Sequence, residues 1–235
     1  MAPLPTAALT FEQARLRIRD ALAGREPTPL HIPSFRPAAV LVPLLQRPGG
    51  PTVLFTRRTN KMQHHAGEVS FPGGRTEAGE DAIQTAQREA SEEVGLDPGR
   101  VEVLGLLDAC PSVWGYVVTP VVAAISAPPE RFERQQTEVF ELFEVPLATL
   151  LDRSLLRVSW RNLGDLPPGS PLAQLREMGG GREAGGYKLY FFDSPIVERT
   201  VWGLTAHVLK DLFDRAFGFS DGASEADEAP PARNG

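Results

Sequence analysis

Three glutamates near the middle of the chain, Glu89, Glu92 and Glu93, have the spacing to act together on one cation. On an α-helix, at about 100° per residue, they fall within one arc of roughly 100°. Glu89 and Glu93 are like charges one turn apart, which weakens a helix unless a cation lies between them. Mg²⁺ binds carboxylate oxygens and keeps water and substrate phosphate in its remaining positions. The pattern indicates a metal site for phosphate chemistry or a solvated charged face, and the carboxylates alone favour the solvated face.

The helix that must hold these glutamates is predicted over residues 81–95. Helix-forming residues follow Asp81, and Gly95 is placed to end the helix. The tripeptide Pro72-Gly73-Gly74 predicts a loop before it. An apolar stripe lies beside the carboxylates, so the acidic face should border the core. The stripe consists of Ala82, Ile83, Ala86, Ala90 and Val94.

The segment from Gly74 to Leu96 resembles the Nudix box, GX5EX7REUXEEXGU, in which U is an aliphatic residue. The match covers all fixed positions of the 23-residue motif, namely Gly74, Glu80, Arg88, Glu89, Ala90, Glu92, Glu93, Gly95 and Leu96. The resemblance implies an α/β (α+β) fold class, with an α/β/α sandwich around a mixed β-sheet. It also implies a Nudix pyrophosphatase that uses Mg²⁺ or Mn²⁺ to hydrolyse a nucleoside diphosphate linked to another group.

The resemblance assigns the metal ligands. Glu89 and Glu93 are implied ligands, and Glu92 is implied to be a further ligand or a group behind the same cation. Gly74 is implied to offer its backbone carbonyl, since a residue without a side chain allows close approach.

The remaining catalytic roles concern an arginine and a base. Arg88 is implied to orient a glutamate, and Glu80 either pairs with it or is a plain carboxylate at the helix start. The general base is predicted to be Glu138, an acid in a later loop, with Glu92 as its rival. A capping or solvent-facing acid is the alternative reading of Glu138.

Upstream of the box, LFTRRTNKMQHHAGEVSFPGG resembles the signature LLTxR[SA]xxxRxxxGxxxFPGG of the coenzyme A pyrophosphatase branch. The matching residues are Thr56, Arg58, Gly67, Phe71, Pro72, Gly73 and Gly74. The resemblance implies cleavage of coenzyme A, and of its acyl or oxidised forms, to 3′,5′-ADP and 4′-phosphopantetheine. Substrate contacts are predicted at Arg58, Lys61, Gly67, Phe71 and Gly73.

Two departures from that signature matter. Phe55 replaces a leucine, and Gln63 replaces an arginine that could hold a substrate phosphate. Lys61, His64 or His65 could supply the missing positive or polar group. The departure keeps two alternatives open: hydrolysis of another dinucleotide such as ADP-ribose or NADH, and a catalytically silent nucleotide-binding module.

The elements around the motif are predicted from periodicity and turn residues. A capping box at Thr10 and Gln13 opens a helix over 11–23, and AAVLVPLL and PTVLFTRR form a hairpin across Arg47-Pro48-Gly49-Gly50. Further helices are predicted near 145–151 and over 201–217. The other strands of the mixed sheet are predicted at 68–71, 101–107, 116–125, 156–160 and 187–192.

The chain divides into three parts by composition. Residues 1–35 are predicted to contain the N-terminal helix and a Pro-rich lead-in. The resemblance implies a Nudix domain over residues 36–218, in which 162–186, rich in Gly and Pro, is predicted to be an insertion loop. Residues 219–235 are predicted to be an acidic, disordered tail.

Composition limits the partners. The formal net charge of −6 argues against a nucleic-acid binder, and no apolar run has the length of a membrane span. The single cysteine, Cys110, permits no internal disulfide and suits a reducing compartment. We therefore expect a cytoplasmic protein whose partner is a small nucleotide substrate, with coenzyme A as the first candidate.

Overall fold

The computed structural model describes residues 9–58, 69–162, 186–195 and 199–219. The strands within these ranges are β1 (Arg36–Leu45), β2 (Thr52–Arg58), β3 (Val69–Ser70), β4 (Gly73–Arg75), β5 (Glu102–Leu106), β6 (Cys110–Pro111), β7 (Tyr116–Ile125), β8 (Val139–Pro146), β9 (Leu156–Asn162), β10 (Gly186–Ser194) and β11 (Arg199–Trp202). The helices are α1 (Phe11–Leu22), α2 (Ala82–Val94), α3 (Leu147–Leu150) and α4 (Gly203–Phe217).

The first sheet is mixed, as expected, and is centred on β1. This strand is parallel to β7 over its whole length, with Arg36 beside Tyr116 and Leu45 beside Ile125. Its other neighbours are antiparallel: β2 pairs with its C-terminal end and β4 with its N-terminal half. The hairpin predicted between β1 and β2 is therefore confirmed. Strands β5 and β6 extend the sheet beyond β7, and β3 and β8 pair with β2.

Strands β9, β10 and β11 form a separate antiparallel sheet. The single mixed sheet expected from the sequence included 156–160 and 187–192, so that expectation was wrong in its number of sheets. Both segments are strands, and each pairs with the other through seven residues from Leu156 to Asn162. The residues of the predicted insertion that lie between these strands, 163–185, are outside the described residues.

Helices cover the first sheet on two sides. Alternate residues of β1 separate two apolar cores, because successive side chains of a strand point to opposite faces. Val42 and Leu44 belong to the core that contains α1 and α4. Ala39 and Leu41 belong to the core that contains α2. The result is the layered α+β architecture that the sequence predicted.

The helix ends agree closely with the local signals. The capping box at Thr10 and Gln13 is present at the start of α1. The C-terminal helix begins later than predicted, at Gly203, because Val201 and Trp202 pair with β10 as the end of β11. Trp202 is 45% exposed and so does not belong to the buried side of α4.

Strand β8 is absent from the sequence prediction, which assigned a helix near 145–151. In the structure, residues 139–146 pair with β2, and the helix shortens to Leu147–Leu150. Pairing with a buried strand therefore outweighs the weak helical signal of this segment.

The N-terminal lead-in is attached to the body through Asp108. Its carboxylate accepts hydrogen bonds from the backbone N–H of Thr28 at 2.8 Å and from Arg25 at 3.0 Å. Arg215 of α4 donates to the same carboxylate at 2.8 Å. Residues 25–28 are thus fixed to the sheet and to α4. The predicted tail beyond Phe219 lies outside the described residues.

None of the described helices combines the length and the apolar character needed to span a bilayer.

Candidate active site

Helix α2 carries the glutamates and is fixed at both ends by its own sequence. Asp81 caps the N-terminus, its carboxylate accepting from the N–H of Gln84 at 2.8 Å while the Gln84 side chain accepts from the N–H of Asp81. Gly95 ends the helix in the left-handed conformation at φ 68°. The predicted apolar stripe packs on the sheet, with Ala86, Ala90 and Val94 all buried. The acidic face therefore borders the core, as the periodicity indicated.

Glu93 is the most deeply placed of the three glutamates. It is only 4% exposed, and its carboxylate accepts a hydrogen bond from the backbone N–H of Gly73 at 3.1 Å. Gly73 in turn lies against β1, where a Cβ on Gly73 would come within 2.4 Å of the carbonyl oxygen of Ala39. The N–H of Leu41 donates to the carbonyl of Pro72 at 2.8 Å. The Pro-Gly-Gly segment thus continues into β4 rather than a free loop, and it holds Glu93 against the sheet.

Glu89 lies directly over Gly74. A Cβ on Gly74 would come within 2.4 Å of both the carboxyl carbon and one oxygen of Glu89. The Glu89 side chain is 15% exposed. The absence of a side chain at Gly74 therefore leaves the space that the Glu89 carboxylate occupies.

Arg88 connects the acidic residues of the motif. Its Nε donates to Glu80 at 2.7 Å, and one terminal nitrogen donates to Glu89 at 2.9 Å and to Glu92 at 3.3 Å. The other terminal nitrogen donates to the carbonyl of Arg75 at 3.0 Å. The pair between Glu80 and Arg88, one of the two readings of Glu80, is present. Arg88 was expected to orient one glutamate, and it contacts both Glu89 and Glu92.

Glu80 is held as an anion by several donors. The hydrogen bond from Arg88, followed by that from the N–H of Glu77, lowers the pKa of Glu80 to about 2. The hydroxyl of Thr85 also donates to Glu80, at 3.0 Å. Thr85 is fully buried and lies outside the positions that the motif fixes, so no motif residue marks it.

The pKa of Glu89 is shifted in the opposite direction, upward. Burial is the largest cause and raises the pKa of Glu89, and the negative charges of Glu92 and Glu138 raise it further. The hydrogen bond from Arg88 acts in the other direction. The site therefore concentrates negative charge that a nearby cation would relieve.

Glu138 approaches this site through a turn fixed to α2. The N–H of Gln135 donates to the carbonyl of Glu93 at 2.9 Å, and the N–H groups of Glu138 and Val139 donate to the carbonyl of Gln135. Glu138 is exposed, in the loop before β8, and its charge reaches Glu89. The structure therefore brings the predicted base near the metal-ligand candidates. Gln135, which makes this attachment, does so through its backbone, and no sequence pattern marks it.

The residues present fit a hard divalent cation by donor type and charge. Glu89 and Glu93 both lie beside the Gly73-Gly74 segment, Glu92 is 55% exposed at the same helix end, and all their donor atoms are oxygens. Among the described residues, no three Asp, Glu, His or Cys side chains are already arranged as a complete ligand set. The guanidinium of Arg88, which contacts Glu89 and Glu92, already neutralises part of their negative charge.

The predicted substrate contacts have mixed outcomes. Phe71 is 3% exposed and stacks on Phe55 with 5.2 Å between ring centroids, so it supports the core and offers almost no surface to a ligand. Gly73 is likewise packed against β1 and bonded to Glu93. Contact of either residue with substrate therefore stays a prediction, and within the structure both residues pack against the protein itself.

The basic residues upstream are described only in part. The backbone of Arg58 ends β2 and pairs with Val139. Lys61 and Gly67, together with Gln63, His64 and His65, lie outside the described residues. Arg57, the residue before Arg58 in β2, lies 3.6 Å from the carboxylate of Glu141.

The chain is similar to one family model, two relatives and one solved structure described below. A family model described as NUDIX domain matches residues 35–162. The chain is 38% identical over 183 residues to the "Uncharacterized Nudix hydrolase NudL" of Escherichia coli K12, which covers 76% of this chain and 82% of that relative. It is 49% identical over 122 residues to the protein of the same name from Pectobacterium atrosepticum, across 49% of this chain and 62% of that relative. A solved structure of a C. elegans Ap4A hydrolase binary complex aligns at 21% identity and a TM-score of 0.41, over 47% of this chain and 80% of the other.

Proposed function

The chain belongs to the Nudix hydrolase family, which acts on phosphorus-containing anhydrides, and from that premise we propose that its substrate is coenzyme A. The reaction class is hydrolysis of a nucleoside diphosphate derivative. The proposed products are 3′,5′-ADP and 4′-phosphopantetheine. Acyl and oxidised forms of coenzyme A belong to the same substrate class, because they share the diphosphate bond.

The observation that carries the substrate assignment is the signature between Leu54 and Gly74. Its first part forms β2, and its Phe-Pro-Gly-Gly end leads into β4 beneath Glu89 and Glu93. The signature therefore occupies the strands next to the catalytic helix. The basic residues Arg57 and Arg58 stand at the end of β2, and cations there suit a substrate that carries a 3′-phosphate besides its diphosphate.

We assign the cation to Glu89 and Glu93, with Glu92 as a further ligand or as a group behind it and Gly74 as a candidate carbonyl donor. Nudix hydrolases generally need a divalent ion, here Mg²⁺ or Mn²⁺. When bound, such an ion neutralises diphosphate charge and lowers the pKa of water. One terminal nitrogen of Arg88 donates to the carboxylates of both Glu89 and Glu92 and so orients them, and Glu80 holds Arg88 in place.

We assign the proton transfer to Glu138. Its carboxylate is exposed, close enough for its charge to reach Glu89, and attached through Gln135 to the end of α2. An exposed carboxylate keeps access to water, which a base that takes a proton from water requires. Glu92 is the rival, since it is also largely exposed.

Two other functions are tested beside this one. Hydrolysis of ADP-ribose or NADH would use the same glutamates with a different pocket, and Gln63 is the residue that favours it. A silent nucleotide-binding module would keep affinity without turnover. We place the reaction in the cytoplasm, since the single cysteine permits no internal disulfide.

The experiment is a chromatographic product assay with coenzyme A, ADP-ribose and NADH, each with Mg²⁺ or Mn²⁺. Metal-dependent release of 3′,5′-ADP with the highest kcat/KM for coenzyme A is the expected result. Glu93→Gln is the inactive control, and Glu102→Gln, a surface glutamate of β5 that is 49% exposed, is the matched active one. A higher kcat/KM for another dinucleotide would overturn the coenzyme A assignment but leave the proposed hydrolysis of a diphosphate bond intact. Binding without any turnover would identify the silent module.

A further inference from the structure

Strand β8 contains an extra residue beside the candidate active site. Arg57 pairs with Glu141 and the next residue, Arg58, pairs with Val139, so Phe140 has no partner across the strands. This arrangement is a β-bulge, a feature that changes the direction of a side chain and is common near active sites. Phe140 follows Glu138, the base candidate, by two residues.

The phenyl ring of the bulged residue Phe140 lies outside both apolar cores. Val139 is 1% exposed and belongs to the core that contains α1 and α4. Leu142 packs instead against the core that contains α2. Phe140 belongs to neither core. Its exposed fraction of 53% is the largest among the exposed large hydrophobic residues of the described part of the chain.

A cation already lies against this ring. The guanidinium of Arg57 is 5.3 Å from the ring centroid of Phe140. Glu141 steadies Arg57 at 3.6 Å and also accepts from Arg199 at 3.2 Å. Arg134 donates to the carbonyl groups of Val139 and Phe140. Arg134 therefore holds the backbone of the bulge. The guanidinium of Arg57 lies against one part of the Phe140 ring, and about half of the Phe140 side chain stays exposed.

We propose that Phe140 is the stacking platform for the nucleobase of the substrate, with Arg57 as the cation behind the ring. This inference rests on the proposed function and deepens it by naming the subsite for the nucleoside half. An exposed aromatic ring beside a guanidinium suits a planar base, because stacking and cation–π attraction both act on a π face. The pantetheine half is a flexible aliphatic amide chain without such a face. The base therefore lies on the β8 side of the carboxylates, and the pantetheine half extends the other way.

The test is direct binding, which needs no turnover. Isothermal titration would measure the Kd of 3′,5′-ADP, AMP and 4′-phosphopantetheine for the wild-type chain and for Phe140→Leu. We expect the Kd of both adenine nucleotides to rise about 5- to 100-fold, the range of one base–aromatic stack, and the Kd of 4′-phosphopantetheine to stay unchanged. Phe140→Tyr, which keeps the aromatic face, should restore nucleotide affinity. Trp202→Leu, an exposed aromatic residue of the second sheet, is the matched control and should change neither.

The possible outcomes separate this inference from the substrate assignment. An unchanged nucleotide Kd in Phe140→Leu, or a larger effect on 4′-phosphopantetheine, would overturn the stacking platform even if coenzyme A is hydrolysed. Weaker binding of AMP in Phe140→Leu would support the platform even if ADP-ribose proves to be the substrate. Thermal unfolding of each variant would show that the fold is retained.

Discussion

The carboxylate of Glu89 occupies the space in which a side chain of Gly74 would have to lie, with 2.4 Å between the position of that Cβ and the Glu89 carboxyl carbon. This contact explains why the box begins with glycine at a distance of fifteen residues from a glutamate. The glycine is required by the packing of the proposed metal ligand Glu89 rather than by a turn.

Gly74→Ala should therefore impair activity more than stability. The added methyl group must displace the end of Glu89, which is a side chain and can move, so we expect kcat/KM to fall about 10²-fold, the typical cost of misplacing a catalytic group by about 1 Å. Gly73→Ala is the contrasting variant, since its Cβ would meet the backbone carbonyl of Ala39 at 2.4 Å. Calorimetry should show a larger loss of Tm for Gly73→Ala. An equally active Gly74→Ala enzyme would contradict the role of Glu89.

Glu80→Gln should remove a contribution to stability that depends on pH. The pKa of Glu80 falls from 4.5 to about 2 because Arg88 and the N–H of Glu77 favour the carboxylate. A depressed pKa contributes stability above the unfolded value and loses it as pH falls through the folded value. The Tm difference between wild type and Glu80→Gln should thus be full at pH 7 and shrink between pH 4.5 and 2. A difference that stays constant across this range would show that Glu80 contributes through packing rather than charge.

The general base can be assigned by comparing Glu138→Gln with Glu92→Gln. Loss of a general base typically costs about 10²- to 10⁴-fold in rate. We expect that loss in kcat for Glu138→Gln. Glu92→Gln should chiefly raise the metal concentration needed for half-maximal activity. The reverse distribution of these two effects would make Glu92 the base.

Cys110 should be unreactive in the folded protein. Burial raises the pKa of the Cys110 thiol to about 12, and the side chain is only 7% exposed between β6 and β7. Labelling with a disulfide reagent at pH 8 should therefore be slow without denaturant and complete in guanidinium chloride, since only the thiolate reacts. Rapid labelling of the native chain would show that β6 opens from β7. The single cysteine makes the assay specific.

Local signals predicted the catalytic helix well. Asp81 and Gly95 define its ends through contacts within a few residues, and the stripe of Ala86, Ala90 and Val94 identifies its buried side without knowledge of the fold. The Glu80–Arg88 pair followed from the same short segment. These features need only the helix geometry, which the sequence specifies over short distances.

Features that depend on distant partners were missed or misassigned. Strand β8 exists because β2 lies beside it, and β11 because β10 does, so neither has a strong signal of its own. Gly73 donates its N–H to Glu93 and Phe71 stacks on Phe55, and a functional signature does not reveal either contact. The attachment of Glu138 depends on the backbone of Gln135 meeting Glu93, a contact that residue types do not reveal.

The parallel pairing of β1 with β7 has a consequence for how the protein folds. Arg36 and Tyr116 are neighbours in the sheet but about 80 residues apart along the chain, and α2 lies within the loop between them. Closing a loop of that size costs chain entropy before any contact across it repays the loss, and non-local pairing of this kind slows folding. A nascent chain that ends before residue 116 cannot complete the surface on which α2 rests. The catalytic centre can therefore mature only after β7 has been synthesised and inserted.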